Sequence, residues 1–224
     1  MKFTVSGYFF PFILSVAILA TFTSCLPDNN GDSSRSEVRV VLDFENANNV
    51  MTAGGDSLVI GILKFIHGNS FFSGNGDTLL LKESPEILIH QNGQNSAKIL
   101  AAGIVRDVSL NEITFNIEQA PPTVQNIDSD FIRGDTLYSM VIEGFYQDSA
   151  FTFKSTRDFS ATFELAPPLE AESNSFFEII LVTDVSSWFI NEDGSLIDPR
   201  DSTGVAAIND NIEGSFRLEN VERF

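Results

Sequence analysis

Cysteine is almost missing from this chain: Cys25 is the single one in 224 residues. One cysteine excludes an internal disulfide framework, a Cys-x-x-Cys redox pair and a Cys-ligated zinc site. Histidine is nearly as scarce. A Ser-His-Asp triad would have to use His67 or His90, and neither stands near a Gly-x-Ser-x-Gly elbow. His67 precedes Gly68 and His90 precedes Gln91-Asn92-Gly93, so both read as turn-flanking polar residues. Two histidines also cannot fill a three-histidine zinc site, although they can join carboxylates. Positive charge is short as well, with 13 Lys and Arg against 31 Asp and Glu, a net charge of −18. Such a chain is soluble and self-repelling. It is also pushed away from nucleic acid, whose binding depends on basic side chains neutralising phosphates, so nucleic acid is excluded as a partner. No apolar run reaches the roughly 20 residues of a membrane-spanning helix.

What the chain does have begins at its N-terminus. Lys2 is followed by Tyr8 to Phe22, uncharged and almost wholly apolar, and then by the small residues Thr23 and Ser24 directly before Cys25. That order is the order of a secretory signal peptide. Phe22-Thr23-Ser24-Cys25 also resembles the lipobox of bacterial lipoproteins, with Phe22 where the usual motif has Leu. The resemblance implies that residues 1–24 are a signal peptide and that Cys25 is the lipid-attachment residue, carrying acyl chains such as palmitate. It further implies a lipid-anchored protein of the bacterial outer membrane, facing the periplasm or the cell surface. One acyl chain gives marginal membrane affinity and each buried methylene adds about 0.8 kcal/mol, so two or three chains hold firmly. The membrane is then a partner through the anchor alone. Removing residues 1–24 removes Lys2 and no acid, leaving 12 basic and 31 acidic residues and a net charge of −19.

Leu26 to Ser36, LPDNNGDSSRS, has nothing to bury and reads as a flexible tether, so residues 25–36 link the anchor to a single domain spanning 37–224. Asp28 and Asp32 within it resemble, loosely, the acidic export signal of surface lipoproteins in Bacteroidota.

From Glu37 onward the pattern is that of strands. Val38, Val40 and Leu42 alternate with Arg39, Val41 and Asp43, and a longer apolar run covers Leu58 to Ile66. Gly68 to Asp77 (GNSFFSGNGD) reads as a turn before Leu79-Leu80-Leu81, and Asn92-Gly93 as another. Ile87 and Ile89 alternate with Leu88 and His90, and Ile113, Phe115 and Ile117 with Thr114, Asn116 and Glu118. Pro121-Pro122 breaks the chain. Strands resume over Leu137–Tyr146, Phe151–Phe153 and Phe159–Leu165, where Pro167-Pro168 is expected to stop them. Phe176 to Thr183, apolar on both faces, reads as a central strand. Many short strands with regular turns and no βαβ alternation predict an all-β fold, an antiparallel β-sandwich or barrel. Val205, Ile208, Ile212 and Phe216 lie three and four apart and predict a short C-terminal helix packed on it, weakened by Gly214. The 21 Phe residues carry much of the burial.

The acidic clusters have a structural and a chemical reading. Asn191, Asp193, Ser195 and Asp198 gather in one loop and are the weak calcium candidates, calcium being a cation of oxygen ligands. An EF-hand register fails, because Gly194 as the sixth position puts Phe189 first and Arg200 twelfth. Asn-x-Asp-Gly and Asp-Pro read first as turn chemistry, as does Asp128-Ser129-Asp130, so no cofactor is expected. No catalytic residue is assigned and no ligand-binding residue is identified. Trp188, the single tryptophan, stands beside an apolar strand and reads as a core anchor before a sugar platform.

The last 90 or so residues bring a further resemblance. Asp184, Trp188, Phe189, Asp193, Gly194, Leu196, Asp198, Pro199, Ile208, Asn211, Ile212, Ser215 and Phe216 match the closing motif of uncharacterised envelope lipoproteins from Bacteroidota, Balneolota and relatives. Ile142-Glu143-Gly144 leading to Phe151-Thr152-Phe153 is similar to a β-hairpin of that group. The resemblance implies a β-sandwich and no named activity. The expected function is a non-catalytic, lipid-anchored binding module or structural component of the envelope, with a protein or glycan partner. The alternative is a carboxylate-based, glycan-acting hydrolase on the same anchor.

Overall fold

The computed structural model describes residues 35–47, 49–51, 55–74, 77–82, 85–91, 97–121, 128–171 and 175–224. The signal peptide, Cys25, the tether up to residue 34, Asn92-Gly93 and Pro122 lie outside the described residues. In chain order the first strands are β1 (Arg35–Glu45), β2 (Asn49–Met51), β3 (Ser57–Gly74), β4 (Asp77–Lys82), β5 (Glu86–Gln91), β6 (Lys98–Arg106) and β7 (Ser109–Ile117). There follow β8 (Ile132–Arg133), β9 (Thr136–Leu137), β10 (Met140–Tyr146), β11 (Ser149–Ser155), β12 (Phe159–Glu170), β13 (Phe176–Asp184) and β14 (Phe216–Arg223). A single α-helix among the described residues, α1 (Ser202–Ser215), precedes β14. None of the described helices is long and apolar enough to cross a membrane.

These elements form a β-sandwich with a short C-terminal helix. One layer has the strand order β14-β13-β1-β6, and the other runs β11-β10-β3-β7-β12, with β2, β4 and β5 also paired to β3. The inward alternation in β1 is complete, since Val38, Val40 and Leu42 are fully buried. Domain structure begins two residues earlier than the tether boundary at Ser36 suggests, with Arg35 already in β1 and Ser36 buried. Most ladders are antiparallel, but β1 and β13 run parallel, from Glu37 opposite Phe176 to Glu45 opposite Asp184. That pair holds the middle of its layer, where β13, apolar on both sides, is expected to sit.

Gly68–Gly74 of the expected turn instead belong to β3, and Asp77 opens β4. The β3 residues pair with β7 from Ser70 opposite Phe115 to Ser73 opposite Glu112, and with β4 on the other edge. Glycine serves close approach here: a Cβ on Gly74 would lie 1.9 Å from the Ser109 carbonyl oxygen. The long β3 changes partner along one edge. Its first half pairs with β10; at Ile66 the N–H donates to the Ser139 carbonyl while the Ile66 carbonyl accepts from Glu118, and β7 takes over. On the outer side of this junction Ile66, Ala120, Phe131 and Val141 form a small second core.

Pro167-Pro168 does not end its strand. β12 continues to Glu170, with its ladder to β7 interrupted between Glu164 and Leu169. A bulge on an edge strand is where prolines, lacking an N–H, fit without costing ladder bonds. The helix ends at Ser215, and Phe216, expected to extend the helical stripe, opens β14 instead. Ile208 and Ile212 are fully buried as the spacing predicts.

Candidate functional site

The closing segment folds around Trp188. Asp184 ends β13 and caps a 3-10 turn, Val185–Phe189, by accepting from the Ser186 N–H. Trp188 and Phe189 thereby turn inward and are fully buried. The indole Nε1 donates to Ser215 Oγ at 2.7 Å and to Thr183 Oγ1 at 3.2 Å, so the ring is satisfied in the core and offers no sugar-stacking face. Asn211 on α1 donates through Nδ2 to the carbonyls of Trp188 at 3.1 Å and Ile190 at 3.0 Å, tying the helix to the turn.

The calcium candidates are occupied by their own loop. Asn191 donates to Ser195 Oγ at 2.9 Å, and Asp193 accepts from the Ser195 N–H at 2.9 Å and hydroxyl at 2.6 Å. The Ser195 hydroxyl and N–H hold the Asp193 carboxyl below the usual range. Gly194, at φ +82°, supplies the left-handed residue of the turn. Asp198 accepts from Arg200 Nε at 2.8 Å and pairs with its terminal nitrogen at 2.7 Å, which also lowers the Asp198 pKa. A guanidinium lying on Asp198 competes with any cation. No group of three metal-ligating side chains occurs among the described residues.

Both histidines depart from the turn-flanking reading. His67 is fully buried in mid-strand, its Nε2 2.7 Å from Ser70 Oγ and its ring 5.5 Å from that of Phe115. His90 is 3% exposed, faces Phe44 at 5.3 Å between ring centroids, and neither of its ring nitrogens has a hydrogen-bond partner. Burial lowers the His90 pKa, helped by the Lys98 charge and opposed by Asp43. His90 pairs with Leu63 and His67 stands four residues further along β3, about 13 Å away at strand rise, so the two cannot share one ion. Asp128 and Asp130 are structural: Lys64 on the outer face of β3 donates to them at 2.9 Å and 2.5 Å. Burial alone would raise the Asp128 pKa, but the Asp130 N–H and the Lys64 ammonium outweigh it and the net shift is downward.

A cleft lies between the β12 bulge and β14. This cleft of about 570 Å³ is lined by Leu165–Glu170, Phe177, Leu218–Val221 and Arg223. Leu165, Leu169 and Phe177 form a buried apolar floor, while Glu170, Glu219, Asn220 and Arg223 supply polar groups at its sides. Ligand sites typically have this size and this mixture of apolar wall and few polar groups. Glu170 accepts from Ser109 Oγ at 2.7 Å and Glu219 pairs with Arg217 at 3.3 Å. Sequence reasoning placed no site here. The cleft joins segments some 50 positions apart, and its only local signal was the Pro-Pro pair.

No family model matches the chain. No curated protein matches it. The solved structure of MbnP from Methylosinus trichosporium aligns with 76% of this chain and 86% of its own length, at 10% identity and a TM-score of 0.41.

Proposed function

We propose that this protein is a non-catalytic, lipid-anchored β-sandwich of the bacterial outer membrane, related to the envelope lipoproteins its closing motif resembles. It is held at Cys25 and presents the cleft between β12 and β14 to a protein or glycan. The observation that carries the reading is Phe22-Thr23-Ser24-Cys25, followed ten positions later by the first strand of a domain that needs no membrane-seeking helix. Supporting it, both histidines and the single tryptophan are used in packing rather than presented to solvent. Growth with an alkyne-bearing palmitate tests it: the native chain should take up label and Cys25→Ser should not, leaving an unprocessed precursor. Label retained by Cys25→Ser would overturn the anchor.

One observation favours a second reading, a carboxylate-based hydrolase acting on glycans: Glu170 and Glu219 line the same cleft. Glycosidases need two carboxyl groups about 5 to 10 Å apart. Glycan hydrolysis lost in both Glu170→Gln and Glu219→Gln would establish that reading over the binding one.

A further inference from the structure

We propose that the outer face of the four-stranded layer is the interface of a two-fold dimer, its occupant a second copy of this chain. The proposal goes beyond the reading above and depends neither on the anchor nor on what the cleft holds.

The ladder registers lay out this face row by row. At one end Arg35 on β1 pairs with Arg106 on β6. The next outward row places Glu37 between Ile104 and Phe176. Phe224 completes it: its N–H donates to the Phe176 carbonyl at 2.9 Å and the two rings lie 5.5 Å apart. Then come Arg39, Glu178 and Glu222 in register, and after them Ile99, Val41 and Ile180. Ile99 at 55%, Ile104 at 61% and Phe224 at 69% are the three most exposed large apolar side chains among the described residues. Val41, Phe176 and Ile180 lie half-buried between them. Soluble surfaces usually scatter such groups singly, and their gathering on one face marks an interaction site. The double-sided apolar pattern of β13 has the same meaning. Its inward Phe177, Ile179 and Leu181 serve the sandwich core, whereas Phe176 and Ile180 are turned to the outside.

Charge selects the occupant. The chain carries −18 overall, yet the rows from Arg35 to Val41 balance, with Arg35, Arg39 and Arg106 against Glu37, Glu178 and Glu222. A balanced face draws in neither an anionic surface nor a basic ligand, and it lets another copy of this acidic chain approach without local repulsion. The balance is also self-complementary. The three arginines lie on β1 and β6, while Glu178 and Glu222 lie on β13 and β14. A two-fold axis along the strands, between β1 and β13, lays β1 on the partner's β13 and β6 on the partner's β14. Ile104 then meets the partner's Phe224, Val41 the partner's Ile180, and Arg39 the partner's Glu178. Arg39 already donates to Glu178 of its own chain at 2.6 Å, so the two pairs join in one four-charge cluster at the centre. Size agrees. Four strands, with β13 nine residues long, make a face of roughly 19 Å by 30 Å. Two such faces bury about 1,100 Å², above the roughly 1,000 Å² a specific interface needs. Sheets stack in this aligned way inside sandwiches.

The test uses the full chain in a density-matched detergent and reads its mass by analytical ultracentrifugation. Salt is set near physiological strength, where charges more than about 8 Å apart are screened. The native protein should be dimeric at micromolar concentration. Ile104→Glu should weaken the dimer about tenfold or more, because it buries an unpaired carboxylate. Phe145→Ser, at an exposed apolar site of the other layer, should leave it unchanged. Arg39→Glu and Glu178→Arg should each be monomeric alone and should form a heterodimer when mixed, since an all-acidic cluster then faces an all-basic one. A monomeric native chain would overturn the proposal. A dimer that ignores Ile104→Glu, or that Phe145→Ser dissolves, would place the contact elsewhere and overturn it too. A mixture of the two charge variants that stays monomeric would overturn the two-fold pairing. Palmitate labelling at Cys25 is independent of all these outcomes and tests the anchor separately.

Discussion

The indole Nε1 of Trp188 donates to Ser215 Oγ at 2.7 Å, joining the turn after β13 to the last residue of α1. The same hydroxyl lies 2.8 Å from Thr183 Oγ1, so three elements meet at one buried hydrogen-bonded point. Trp188→Ala should therefore destabilise the domain by about 3–5 kcal/mol, the cost of truncating a buried large aromatic. Ser215→Ala should cost about 0.5–1.5 kcal/mol, since Thr183 still accepts from the indole. Tryptophan emission should be blue-shifted in the native state and move to the red on denaturation. A water-like native emission with unchanged stability in Trp188→Ala would refute the packing role.

His90 makes stability depend on pH near neutrality. Burial depresses its folded pKa below the ordinary value of about 6.5, so the unfolded chain takes up the proton first. Stability is full above pH 6.5 and falls as pH drops from there toward the folded pKa, by up to about 1.4 kcal/mol per pH unit. The pH-dependent part of that loss should vanish in His90→Leu. A separate loss should begin near pH 4, where Asp128, held below its ordinary pKa, must take up a proton and release Lys64. Urea denaturation at pH 8, 5.5 and 3.5 separates the two windows.

Two glycines should respond in opposite directions to alanine. Gly214, near the end of α1, has open space where a Cβ would go, so Gly214→Ala should gain about 0.5–1 kcal/mol from helix propensity and a stiffer unfolded chain. Gly74→Ala meets the Ser109 carbonyl and must part β3 from β7, so its melting temperature should fall. Thermal melts of the two variants give the comparison directly.

Lys64 is half-hidden beside Val141 and Ile89 and is held by Asp128 and Asp130. Lys64→Ala should cost about 1–3 kcal/mol, because Asp128 is left partly buried without its cation. Lys64→Ala combined with Asp128→Asn should recover part of that loss. A double-mutant cycle showing no coupling would reduce the pair to surface decoration.

The strands that alternate cleanly were legible: β1, β7 and the first half of β12 each bury the predicted face. Less legible was anything decided by pairing between distant segments. In β5, Ile87/Ile89 and Leu88/His90 are equally plausible inner faces by alternation, and only the register opposite Leu63 turns His90 inward. β14 was hidden because Phe216 satisfies both the helical spacing of Ile208 and Ile212 and the strand alternation with Leu218. The cleft was invisible for the same reason, since β12 and β14 bring its walls together from far apart in the chain. Trp188, by contrast, reads as a core residue from the apolar strand beside it, although the Ser215 hydroxyl that accepts from its indole lies 27 positions further on.

The parallel ladder of β1 and β13 sets an order of events for a chain that emerges N-terminus first during synthesis. Arg39 must wait for Glu178, 139 positions behind it, before the centre of its layer can close. Contacts this distant in sequence slow folding into the millisecond-to-second range. Through that interval β1 travels with only β6 available as a neighbour, and its other edge stays open to foreign strands. The dense negative charge of the chain keeps neighbouring nascent copies apart while that edge is bare. A stop anywhere before Phe176 would leave the first strand of the domain permanently without its central mate.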